Sequence, residues 1–155
     1  MLSHRPFAER IYRGPRMSFL VLNRHEAETA VPDVPYLVIS VTDPERDEAA
    51  LAESPDRRAV LRLRFHDKGG RRPPAEGKMV MGPEEARAVV AFVRTHQAEA
   101  ELIVCQCEAG ISRSAAIAAA LSRILQGEDQ FCFEHYAPND WIYHTLLEAA
   151  DGGET

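Results

Sequence analysis

Ile103 to Leu121 reads IVCQCEAGISRSAAIAAAL, and three elements follow one another in it. Leu102 to Cys105 is a short apolar run, the pattern of a buried strand. Residues 107–112 contain Gly110 and Ser112 and read as a loop. From about Ser112 to Leu125 the chain is apolar almost all round, as a central buried helix should be, and Gly127 suits its C-terminal cap. A loop that runs from a strand into a helix N-terminus gathers backbone N–H groups where the helix dipole is positive. This loop holds Cys107, Gly110, Arg113 six positions after the cysteine, and Ser114 directly behind it.

Those residue types at that spacing suit a phosphate-like anion. Glu108, Ala109, Gly110, Ile111, Ser112 and Arg113 would turn their N–H groups inward. Gly110 lets the backbone take a positive φ without a Cβ penalty. At the helix start, the planar fork of Arg113 can hold two oxygens at once. Cys107 would sit at the bottom of this electropositive cup, which favours the nucleophilic thiolate, and Ser114 can donate a hydrogen bond to it. A buried structural cysteine with an ordinary helix-start arginine would leave the glycine and serine placement unexplained.

The Cys-x5-Arg-Ser arrangement in this context resembles the phosphate-binding loop of the cysteine-dependent protein tyrosine phosphatase superfamily, dual-specificity members included. The resemblance is tight over Leu102 to Leu121, looser around Arg58 to Lys68, and architectural elsewhere. It implies a metal-independent phosphomonoesterase that works through a phosphocysteine intermediate, without a cofactor, on a phosphorylated protein or a small phosphomonoester. It also implies a general acid on an upstream loop. Asp67 fits: a strand ends in Phe65-His66-Asp67, about 40 residues before Cys107, and a similar FHD segment occurs in a group of bacterial phosphatase-like proteins. Asp43 is the weaker rival, since Pro44 after it suggests a helix start. Asn139 stands where the family often braces the phosphate loop, although an N-cap role would also account for it. One position departs: where the family usually has His before the nucleophile, this chain has Gln106. Gln can donate and accept, so two readings stay open, the enzyme and a phosphate-binding module without significant turnover. Arsenate reductase or sulfurtransferase chemistry is a weaker third option, and sulfurtransferase loops are generally one residue shorter.

Around this centre, Met17 to Leu22, Tyr36 to Val41, Arg58 to Phe65 and 102–106 read as strands. Helical spacing predicts short helices at Arg24 to Ala30 and from Asp43-Pro44-Glu45 to about Ala52. Longer ones are expected at about 83–97, 112–125 and 140–150. Alternating strands and helices argue for an α/β fold with a mainly parallel central sheet of four to five strands and helices on both faces. The expected division is an irregular arm, 1–16, and a single domain, 17–155, with Phe7, Ile11 and Tyr12 able to dock the arm. Residues 69–78, rich in Gly and Pro, read as a loop, and Lys68, Arg71, Arg72 and Lys78 make it either a local basic patch that steers phosphorylated substrates or a plain solvated surface turn, with nothing in the sequence to choose between them. His66 could orient Asp67, although a plain strand-end residue is the favoured reading. Cys105 reads as a small core residue facing away from Cys107. Cys132 reads as a core thiol or a redox partner of Cys107.

A chain of 155 residues with 45% hydrophobic and 27% charged residues fits one soluble domain. A net charge of −6 argues against nucleic acid as a partner. No run of about 18 apolar residues predicts a membrane span, and the first 17 residues lack the apolar core of a secretory signal. Three cysteines, an odd number, do not suggest a disulfide framework. A monomer in the reducing cytoplasm is the expectation.

Overall fold

The structure, a computed structural model, describes residues 5–68 and 76–152. Most of the expected basic loop, Arg71 and Arg72 included, lies outside the described residues. Five strands form one sheet in the order β1-β2-β5-β3-β4. They are β1 (Tyr12–Arg13), β2 (Ser18–Leu22), β3 (Tyr36–Thr42), β4 (Arg57–Arg64) and β5 (Leu102–Gln106). β2, β5, β3 and β4 run parallel, and β1 pairs antiparallel with β2 at the edge.

Side-chain alternation sorts the strands into two cores. Phe19, Val21, Leu37, Ile39, Ile103 and Cys105 face α3 (Pro83–His96), α4 (Arg113–Gln126), α5 (Gln130–His135) and α6 (Asp140–Gly152). Leu20, Leu22, Val38, Leu102 and Val104 face the other side, with Ala27 of α2 (Arg24–Ala27) and with Phe7 of α1 (Phe7–Arg10) packed against them. This is the expected mainly parallel sheet with helices on both faces. α4 is buried along its first ten residues. Ile117 and Leu121, fully buried there, each contribute roughly 2 kcal/mol. Gly127 closes α4 in the left-handed conformation, φ 76°.

Three expectations are corrected. The N-terminal arm is not irregular: α1 and β1 form in it, Tyr12 stacks on Phe131 with ring centroids 4.9 Å apart, and Arg10 is buried. Arg10 Nη1 donates to Glu26 at 2.5 Å and Nη2 to the Val21 carbonyl at 3.0 Å. The helix expected between Asp43 and Ala52 does not form. Arginine side chains take the carbonyls that a helix would use internally. Arg64 Nη1 donates to the Arg46 carbonyl at 2.6 Å, Arg24 Nη2 to that of Glu48 at 3.0 Å, Arg62 Nη1 to that of Ala49 at 3.0 Å, and Arg57 Nη1 to that of Ala52 at 2.6 Å. Helix α5 was not expected. Its six residues are too few to show a repeat. Among the described residues no helix is long and apolar enough to cross a membrane.

Candidate active site

The carboxyl ends of β2, β5, β3 and β4 lie side by side, where parallel sheets gather their sites. Cys107 directly follows β5, and its N–H continues the ladder by donating to the Leu22 carbonyl at 3.3 Å. Its side chain is buried, 2% exposed. Three hydrogen-bond partners surround its sulfur: the Ser114 hydroxyl at 3.1 Å, and two donors, the Gly110 N–H at 3.3 Å and the Ser114 N–H at 3.4 Å. The loop therefore curls around Sγ.

Gly110 makes that curl possible. Its φ is +68°, and a Cβ there would lie 2.5 Å from the Asn23 nitrogen and 2.7 Å from the Leu22 carbonyl carbon. Both are backbone atoms that cannot swing away. Gly110→Ala is expected to destabilise the fold by about 3 kcal/mol, from the left-handed backbone and the collision together. A chemical denaturation midpoint measures this. A variant as stable as the parent would mean that the loop runs elsewhere.

Arg113 opens α4 and is 5% exposed. Its Nη1 donates to Asp43 Oδ1 at 2.6 Å and to the Phe65 carbonyl at 2.8 Å. Its Nε is buried and, among the described residues, has no partner. Asp43, considered from sequence as a possible acid, thus anchors the arginine. No helix begins after it.

Asp67 is exposed and reaches the loop from β4's end. Its Oδ1 accepts from Ser112 Oγ at 2.9 Å and from Asn139 Nδ2 at 2.8 Å. Ser112, occupied in this way, makes no side-chain cap on α4, which leaves the helix N-terminus to its backbone donors. Asn139 combines both roles considered for it. Its Oδ1 accepts from the Ile142 N–H at 2.9 Å, capping α6, and its own N–H donates to the Ser112 carbonyl at 3.1 Å. Two residues earlier, the Ala137 N–H donates to the Ile111 carbonyl at 3.1 Å. The rim is held from outside as well. Glu108 turns away from the cup to Arg24 Nη1 at 2.9 Å and Arg46 Nε at 3.5 Å, whereas Ala109 and Ile111 are exposed.

Gln106 is buried, and its Oε1 accepts from the Ser40 hydroxyl on the neighbouring strand. Cys105 does not face away from Cys107: residues two apart on a strand share a face, and both belong to the core beneath α4. All three cysteines are free thiols. Burial pushes the Cys105 thiol well above its ordinary range and that of Cys132 up to about 12, helped at Cys132 by nearby Asp129. Both therefore stay neutral at any physiological pH.

The residues singled out from sequence thus meet: Cys107, Gly110, Arg113 and Ser114 within the loop, with Asp67 docked on Ser112. Asp43 and Ser40 were missed as anchors. Each contacts a site residue more than 60 positions away, so no spacing rule reaches them.

No family model and no curated protein matches the sequence. Solved structures do match. Tk-PTP in its active form aligns with 92% of this chain and 97% of its own, at 14% identity and a TM-score of 0.56. Human tyrosine phosphatase-like serine/threonine/tyrosine-interacting protein aligns with 89% and 93%, at 16% identity and 0.55. PTPMT1, solved in complex with PI(5)P, aligns with 92% and 95%, at 16% identity and 0.54. Topology, loop and full-length similarity agree, and the chain has the fold of the tyrosine and dual-specificity phosphatases.

Proposed function

We propose that this chain is a metal-independent phosphomonoesterase acting through a phosphocysteine. The observation that carries the reading is the loop's geometry: two backbone N–H groups and a hydroxyl on Cys107 Sγ, and beside them an arginine whose Nη1 is anchored and whose buried Nε has no partner among the described residues. A phosphoryl oxygen would satisfy that Nε, together with the N–H groups of residues 108–113.

In the first step Cys107 Sγ, as thiolate, attacks phosphorus and the bond to the leaving oxygen breaks. Arg113 and the loop amides hold the equatorial oxygens, whose charge grows in the transition state. Asp67 gives its proton to the leaving oxygen. In the second step Asp67 takes a proton from water, the water attacks phosphorus, and the S–P bond breaks to release phosphate and the thiolate. Ser114, at 3.1 Å from Sγ, stabilises that leaving thiolate.

The substrate class is a phosphorylated protein or a small phosphomonoester. The likeness to PTPMT1 with PI(5)P adds phosphoinositides to the compounds worth assaying. A monomer in the cytoplasm suits a site that depends on a reduced thiol. The test is hydrolysis of para-nitrophenyl phosphate in chelator and reductant. Turnover is expected to persist with the chelator and to stop on alkylation of Cys107. Loss of all activity on chelation would sink the reading.

Gln106 supports a second reading, a phosphate-binding module without significant turnover. Its Oε1 accepts from the Ser40 hydroxyl, which engages this oxygen with β3 rather than with the loop. Phosphate binding without hydrolysis at any pH would select it.

A further inference from the structure

We infer that His66 is a positioning residue that fixes the Asp67 loop against the loop holding Arg113; this rests on the phosphatase reading above. His66 stands between two groups already placed in the site. The residue before it gives its carbonyl to Arg113, and the residue after it is Asp67.

Its own bonds run in two directions. The His66 N–H donates to the Met79 carbonyl at 2.6 Å, and the Met79 N–H donates back to His66 Nδ1 at 2.9 Å. This double clasp joins the two ends of the segment that leaves the sheet at Asp67 and returns before α3. Nδ1 is an acceptor there, so the ring proton sits on Nε2. Nε2 donates to the Glu45 carboxylate, at 2.9 and 3.0 Å to its two oxygens. Glu45 lies two residues after Asp43, the anchor of Arg113. The same short stretch is pinned by Arg64 Nη1, which donates to the Arg46 carbonyl at 2.6 Å. Beyond Met79, Trp141 Nε1 donates to the Met81 carbonyl at 2.9 Å, tying the irregular segment before α3 to α6.

A ring serving only as a strand-end residue would face solvent. This one has a side chain 11% exposed, with both nitrogens engaged. Through Met79 it fixes where Asp67 leaves the sheet, and through Glu45 it fixes that point relative to Arg113. Proton donation requires Asp67 within hydrogen-bond reach of the leaving oxygen. A shift of about 1 Å in such a group is enough to slow the step.

The leaving group makes the role measurable. Phenol is a poor leaving group and needs its proton in the transition state. Para-nitrophenol is a good one and needs it little. His66→Ala is expected to lower kcat on phenyl phosphate roughly tenfold and on para-nitrophenyl phosphate less than about threefold. His66→Asn, whose Oδ1 can accept from the Met79 N–H as Nδ1 does, is expected to recover most of the loss. Thermal melting of each variant accompanies the kinetics. An equal fall on both substrates, or an Asn variant no better than Ala, overturns the positioning role. If His66→Ala fails to fold, the Asn variant alone decides: a selective loss on phenyl phosphate well below tenfold supports the role, and an unselective one overturns it. A wild type that hydrolyses neither substrate overturns the phosphatase reading, and this inference with it.

Discussion

Cys107→Ser is expected to reduce turnover by roughly 10⁴-fold or more, because a serine hydroxyl is not ionised at neutral pH and, among the described residues, the partners at this position are the Ser114 hydroxyl and two backbone N–H groups, none of them a general base. The substitution keeps what surrounds the sulfur. An oxygen there can still accept from the Gly110 and Ser114 N–H groups and share a hydrogen bond with Ser114 Oγ. Arg113 remains anchored by Asp43 and Phe65, neither of which touches residue 107 in these bonds. Affinity for inorganic phosphate is therefore expected to stay within a few-fold of wild type. The pair of measurements is hydrolysis of an aryl phosphate and calorimetric titration with phosphate. Turnover that survives the substitution would assign the nucleophile elsewhere. Turnover and phosphate binding lost together would point to collapse of the loop. Neither neutral thiol can substitute for Cys107: Cys105 and Cys132 are buried with raised pKa values.

The loop was legible from sequence because the bonds that curl it around Cys107 Sγ are local. Cys107, Gly110, Arg113 and Ser114 lie within eight residues, and the fold needs only a strand before them and a helix after. The parallel sheet was legible for the same reason: β2, β3 and β5 are largely apolar runs, β4 alternates leucine with arginine at its end, and helical or irregular connections separate them. What could not be read is what crosses the chain. Pro44 after Asp43 looks like a helix start on local grounds. Four arginines from other elements claim the carbonyls of that stretch, and Arg113 claims the carboxylate. Asn139 read first as a cap and only second as a brace, since only its contacts with Ser112 and Asp67 reveal that it is both. β1 has two residues, and its partner strand alone defines it.

Asp67→Asn is expected to cost roughly 10² to 10³-fold in kcat on phenyl phosphate, the usual contribution of a positioned general acid. Shape is preserved: an amide oxygen can accept from Ser112 and Asn139 as the carboxylate does at 2.9 and 2.8 Å. What the variant lacks is the proton. The loss should therefore shrink on para-nitrophenyl phosphate, whose leaving group needs the proton little. Asp43 provides the contrast. It holds Arg113 Nη1 at 2.6 Å, so Asp43→Asn is expected to weaken the positioning of the arginine, which in the proposed mechanism would hold the phosphoryl group in ground and transition states alike. That variant should lose phosphate affinity, and kcat/KM to a similar extent on both substrates. The pair of substrates thus separates the two carboxylates. An Asp67→Asn variant with wild-type kcat on phenyl phosphate would leave the acid to be found elsewhere. An Asp43→Asn variant whose loss is confined to phenyl phosphate would reverse the two assignments.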